Sequence, residues 1–304
     1  MNPSSTVGLR HAILGAGGVG GLMAACLAKS GAPVTLVIKR ESLPTYPEQL
    51  RLESPFGNFS VPVERAAEVP FTDVLWLAVK ATQLESSLAA LTHPETVKAI
   101  VPLLNGVDHI ALLRAKFGAE KVIPATIGVE SERVAPGHII HRSSFVLLNV
   151  SSSGRPLLAG TLEQLQQLGF DCRFVDDEAT LMWSKLAFLA AFALTTTASG
   201  MGTREILSDA RWRELGLAVI NETCAVAVAE GAKVDANSVI ASVVKMPGNM
   251  RSSMQKDVEQ GHPPELDAIA GPILRGATRH GIDVRATKNL VEEVERRVGA
   301  SRLL

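Results

Sequence analysis

The stretch His11-Ala-Ile-Leu-Gly15-Ala-Gly17-Gly-Val-Gly20-Gly-Leu-Met-Ala-Ala-Cys-Leu-Ala-Lys-Ser30 constrains this chain more than any other. It reads as a short apolar strand, a glycine turn and the first turns of a helix. Gly15, Gly17 and Gly20 occupy the three positions of G-x-G-x-x-G, with Ala16, Gly18 and Val19 completing the turn. Each glycine answers a separate need. The first permits a tight turn, the second leaves room for a pyrophosphate to approach the backbone, and the third lets helix pack on strand. The helix N-terminus then offers free N–H groups and a partial positive charge to phosphate. The bland reading is a glycine-rich strand-to-helix turn with no ligand. The flanking strand and helix favour dinucleotide binding.

The next apolar run, Pro33-Val-Thr-Leu-Val-Ile38, reads as a second parallel strand buried on both faces. In an NAD-binding fold this strand commonly ends in an acid that accepts a hydrogen bond from the ribose 2′-hydroxyl. Here it ends in Lys39-Arg40. Two cations suit a 2′-phosphate, so the cofactor reads as NADP(H). A solvated basic pair at a strand end is the competing reading.

At 304 residues the chain is long for one core, and two domains are expected. Apolar residues make up 46% and aromatics only 4%, so the interior must be chiefly aliphatic. The formal net charge is −1 with no long run of one sign, which argues against nucleic-acid and membrane-surface partners. No apolar run reads as long enough to span a membrane, and Met1–Gly8 lacks a signal-peptide pattern. Cys26, Cys172 and Cys224 are odd in number and far apart, so neither a disulfide framework nor a metal site is expected. A cytoplasmic location fits. The sequence leaves the oligomeric state open, a homodimer included.

The first half alternates apolar runs with helix-like segments. Further strands are expected over 73–79, 99–104, 122–127, 137–141, 144–150 and 172–175, the later ones forming a mixed edge that the last could close. Helical spacing covers 156–168. From about residue 178 the segments become long, Ala- and Leu-rich and helical in period, over 179–194, 210–230, 238–244, 265–280 and 287–298. The expected architecture is an α/β Rossmann-type dinucleotide-binding domain over 1–177, followed by an all-α domain over 178–304.

Ligands of open α/β sheets sit beyond the carboxyl ends of the strands. That rule singles out Lys80 and Asn105-Gly106, although the first also reads as a solvated lysine and the second as a plain turn. In the helical half, Lys185 stands in Met182-Trp-Ser-Lys-Leu-Ala-Phe-Leu-Ala-Ala-Phe-Ala-Leu194, a helix apolar nearly all round. Such a lysine snorkels, pairs or lines a cavity.

With these residues in view, the chain resembles the ketopantoate reductase (2-dehydropantoate 2-reductase) family over nearly its whole length. The pieces are Ile13–Gly20, Val79-Lys80, Leu104-Asn105-Gly106-Val107, Pro136–His141, Trp183-Ser-Lys185-Leu186, Arg251–Asp257, Glu265-Leu-Asp267 and His280-Gly-Ile282. Their order and spacing together are specific, though no single piece is. The resemblance implies reduction of a small 2-keto acid by NADPH, giving pantoate from ketopantoate. It makes Lys185 the proton donor and places Glu265 against the cofactor ribose or Lys185. Ser253 becomes a substrate ligand, and Lys80 and Asn105 meet cofactor and substrate. Family members usually carry asparagines four and eight residues after the lysine. Here those positions are Leu189 and Ala193, while a third family asparagine corresponds roughly to Thr203. Losing polar groups that read a substrate hydroxyl weakens discrimination. A more apolar 2-keto acid is therefore an alternative substrate, and a non-catalytic NADP(H) sensor an alternative role.

Overall fold

The computed structural model describes residues 8–301. Two compact units emerge. One comprises the chain up to Leu104 with His109–Asp176, and the other comprises Asn105–Asp108 with the chain from Asp177 onward.

In the first unit the elements are β1 (His11–Leu14), α1 (Gly18–Lys29), β2 (Val34–Val37), β3 (Gln49–Glu53), β4 (Phe59–Pro62), β5 (Glu64–Ala66), β6 (Val74–Leu77), α2 (Leu84–Ser87), β7 (Ala99–Pro102), α3 (Asp108–Phe117), β8 (Ala125–Gly128), β9 (Ser131–Ala135), β10 (His138–His141), β11 (Leu147–Ser151), α4 (Arg155–Gln167) and β12 (Asp171–Val175). A five-stranded sheet in the order β5-β2-β1-β6-β7 is parallel throughout. Every residue of β1, β2, β6 and β7 is buried, which is why these strands read as continuous apolar runs. Along β1, Ile13 enters the core on one face and Ala12 and Leu14 the core on the other.

The later strands do not extend this sheet as a mixed edge. β12, β11 and β8 form a separate three-stranded sheet, and β12 closes that sheet rather than the large one. One bridge, Ile100 to Val122, links the segment before β8 to β7. A further sheet, β4-β3-β10-β9, contains three strands absent from the sequence reading. β3 alternates exposed polar residues with buried Leu50 and Leu52, the period of a half-buried strand, but over five residues only. β9, Ser-Glu-Arg-Val-Ala, has no buried residue and so carries no apolar signal.

The second unit contains α5 (Glu178–Ser199), α6 (Thr203–Ser208), α7 (Ala210–Ala229), α8 (Ala236–Val244), α9 (Ser253–Glu259), α10 (Leu266–His280) and α11 (Arg285–Ser301), with no strand among the described residues. α5 is its spine. Asp177 caps it by accepting from the Thr180 amide at 3.0 Å, and Gly200 ends it in the left-handed region at φ 76°. It runs five residues past the expected end at Leu194. Thr195 and Thr196 turn their hydroxyls back onto the carbonyls of Ala191 and Phe192, at 2.6 and 2.7 Å, so β-branched polar residues continue the helix. One 18-residue window of α5 has mean hydropathy 1.3, apolar and long enough to cross a membrane by length and composition, contrary to expectation. Here 61% of that window is buried inside the protein. The start of α11 is capped by Glu222 of α7, whose carboxylate accepts from the amides of Ala286 and Thr287 at 2.8 Å each.

Candidate active site

In the first unit the ends of β1, β2 and β6 converge on the glycine turn. Gly15 N–H donates to Val37 O at 3.1 Å, and Ala78 N–H donates to Leu14 O at 2.9 Å. Gly15 has φ 110°, and a Cβ there would lie 2.7 Å from Ala78 O. A Cβ on Gly20 would lie 1.8 Å from Gly15 O, so no larger residue lets α1 approach the turn this closely. Gly17 differs. It is exposed, and a Cβ on it would meet nothing within 4 Å. Open space thus lies beside the first turn of α1, whose amides at Gly18, Val19 and Gly20 have no acceptor within the helix. The turn therefore fits the pyrophosphate of a dinucleotide.

Lys39 and Arg40 follow β2 and are both exposed. Arg40 pairs with Glu68, also exposed, whereas Lys39 has no ion-pair partner among the described residues. A surface pair of this kind is worth ~0–1 kcal/mol, so a phosphate can displace Glu68 from Arg40. Lys80 is half-buried two residues beyond the Ala78 bridge.

The second unit gathers three of the expected residues. Asn105, on the segment that clusters with the helices, donates its amide to Glu265 Oε2 at 3.1 Å. Gly106 permits this turn. Its φ is 84°, and a Cβ would lie 2.2 Å from Ala268 O at the start of α10. Asp108 fastens the same segment through Arg275 of α10 at 2.6 Å, and Arg275 also binds Asp267 at 2.7 Å. Glu265 is 7% exposed and immediately precedes α10. Lys185 is half-buried on α5. Burial pushes its ammonium down to about 8, against the charge of Glu265, which favours the protonated form. A lysine poised near neutrality beside a buried carboxylate is suited to deliver a proton.

The remaining expected residues divide. Leu189, one turn beyond Lys185, is half-buried and follows it on the same helix face. Ala193 is 0% exposed and packs in the helical core, so it has no surface to offer a substrate, contrary to expectation. Ser253 is exposed at the first position of α9. Its neighbour Ser252 accepts from Thr196 Oγ1 at 2.7 Å, which sets Ser253 over the C-terminal half of α5. Thr196 lies about 16 Å of helix rise beyond Lys185. Thr203 is buried and donates to Pro247 O at 2.6 Å.

The sequence model of the ketopantoate reductase PanE/ApbA family matches residues 11–150, and that of its C-terminal portion matches residues 178–297. The chain belongs to the ketopantoate reductase family. It is 30% identical to a 2-dehydropantoate 2-reductase of Caulobacter vibrioides, over 92% of this chain and 96% of that one. The crystal structure of a 2-dehydropantoate 2-reductase from Geobacter metallireducens shares the fold at TM-score 0.84 and 26% identity, covering 95% of this chain and 99% of that one. A D-mandelate dehydrogenase solved with NADH and anilino(oxo)acetate shares it at TM-score 0.85 and 21% identity, over 97% and 100% of the two chains. At that distance the likeness concerns the fold. This ketopantoate reductase family member is an oxidoreductase that uses a nicotinamide dinucleotide to reduce a 2-keto acid.

Proposed function

We propose that the enzyme reduces ketopantoate to pantoate with NADPH, with Lys185 as the proton donor. The observation that carries this reading is the cluster in the helical unit, where a half-buried lysine faces the charge of a buried carboxylate held by an asparagine amide. The names of its relatives supply the substrate. Gly15 to Gly20 would hold the pyrophosphate, with Lys39 and Arg40 on the 2′-phosphate. The bound cofactor supplies a hydride to the keto carbon. Lys185, kept charged by Glu265, stabilises the negative charge growing on the keto oxygen and gives it a proton, then recovers one from solvent. Asn105 holds the Glu265 carboxylate in place through its amide bond. The net change is one hydride and one proton added across the carbonyl.

One observation favours a second substrate. Leu189 puts a branched hydrocarbon one turn from Lys185, where a polar group would be needed to read the hydroxyl of ketopantoate. Ketopantoate reduction and reduction of a 2-keto acid with an apolar side chain are separated by one assay. NADPH oxidation is followed with ketopantoate and with straight-chain, branched and aromatic 2-keto acids. Higher kcat/KM for ketopantoate supports the first reading, and higher values for an apolar member support the second. No turnover with any of them overturns both. The rate should also fall as pH rises through about 8, where Lys185 loses its proton.

A further inference from the structure

The dinucleotide fingerprint accounts for Gly15, Gly17 and Gly20 but leaves Gly18 and Gly21 without a reason. The structure supplies one. A Cβ on Gly18 would lie 2.1 Å from Ser131 O, and a Cβ on Gly21 would lie 2.3 Å from Ile139 Cδ1. These two glycines are sockets on α1 into which the β9–β10 hairpin presses. Ser131, the first residue of β9, also donates its hydroxyl to Gly18 O at 2.9 Å.

That bond acts on the amide beyond it. Gly18 C=O and Val19 N–H belong to one planar peptide, so fixing the carbonyl fixes the direction of the N–H. Val19 N–H is one of the free donors at the start of α1. The base of the hairpin is itself held. Buried His141, opposite Ser131 in the β9–β10 register, has Nδ1 2.9 Å from Ser54 Oγ and Nε2 3.0 Å from Ser143 Oγ. Ser143 Oγ in turn accepts from the Glu130 amide at 3.0 Å.

We infer that the β9–β10 hairpin is a clamp on the dinucleotide cradle and that Ser131 is a positioning residue for cofactor binding, acting through the Gly18–Val19 peptide. The inference rests on the reading that the glycine turn holds the cofactor. Because the clamp acts at the pyrophosphate end, it serves NADPH and NADH alike, unlike Lys39 and Arg40.

The test is titration of the full-length enzyme with NADPH and with NADH, alongside steady-state kinetics and a thermal melt. Ser131→Ala should raise both dissociation constants by the same factor, about threefold to tenfold, the worth of one hydrogen bond. The KM for NADPH should rise by more than kcat falls. Ser131→Thr, which keeps the hydroxyl, should restore binding to within about twofold of the parent, as expected if the bond itself is what matters. Gly18→Ala, which forces β9 away, should weaken binding more than Ser131→Ala. Gly17→Val separates the two readings. If it binds NADPH as the parent does, the turn is not the cofactor site and both readings fall. If it abolishes binding while Ser131→Ala and Gly18→Ala bind like the parent, the clamp alone is overturned, even where their melting temperatures drop.

Discussion

On the proposed reading, single residues decide which nucleotide this enzyme takes and how well. Lys39 and Arg40 follow β2, where an acid would favour NADH, and among the described residues only Arg40 of the two has an ion-pair partner, the exposed Glu68. Lys39→Ala with Arg40→Ala should lower NADPH affinity by one or more tenfold steps, each worth ~1.4 kcal/mol, and leave NADH affinity nearly unchanged. Titration of the double variant with both nucleotides checks this, and an equal loss for both would contradict it. The glycine turn was legible in the sequence because its demands are local, a left-handed turn and two close approaches within six residues. The Asn105–Glu265 bond was not, since 160 positions separate the partners and nothing local announces the pairing. Ser131 was hidden for a related reason: its strand has no apolar pattern, and its role lies in a backbone carbonyl it touches.

At the scale of elements, α5 sets the reach of the site. Its apolar sequence predicted a buried helix and gave Lys185 its prominence, but could not say which turns face outward. Spacing by four put Leu189 and Ala193 on the side of Lys185. The structure separates them because neighbouring helices cover α5 increasingly toward its C-terminal half, where residues 190–197 are all buried. Leu189→Asn alone should therefore raise the kcat/KM ratio of ketopantoate over an apolar 2-keto acid, by about tenfold if the new amide reaches the substrate hydroxyl. An unchanged ratio would place residue 189 outside the substrate's reach. Ala193→Asn should only destabilise, since an amide buried without a partner costs ~1–3 kcal/mol. α5 outruns its expected end for a physical reason, a run of threonines that looks like a helix stop, of which Thr195 and Thr196 instead bond to carbonyls of their own helix. The small strands were missed because short, half-polar segments gain their order from pairing, which no local pattern records.

Across the whole molecule, acid should act first on buried histidine. His11 lies in the parallel sheet, 3% exposed, where its Nδ1 accepts from Trp76 Nε1 at 3.2 Å. Burial lowers its pKa from 6.5 to about 4, against the nearby charge of Asp73. The folded state therefore binds fewer protons than the unfolded state in that window, and stability is lost as pH falls from 6.5 to about 4, by ~3 kcal/mol. His141, also lowered by burial, adds in the same direction. Asp73, held far below the usual carboxylate range chiefly by its bond from Arg10, contributes a further loss only below its ordinary 3.8. Melts of His11→Leu should show a shallower loss between pH 6.5 and 4 than the parent, and an identical slope would remove His11 from the account. The two-unit architecture, a parallel α/β unit followed by an all-helical one, was legible because strand runs and helical periods occupy different halves of the chain. The whole proposed reaction turns on proton donation by Lys185. The direct measurement is kcat of Lys185→Met with the best 2-keto acid, since methionine keeps the stem's packing and removes only the ammonium. A fall of ~10²–10⁴-fold is expected in a folded enzyme that still binds NADPH. A folded Lys185→Met enzyme turning over near the parental rate would contradict it.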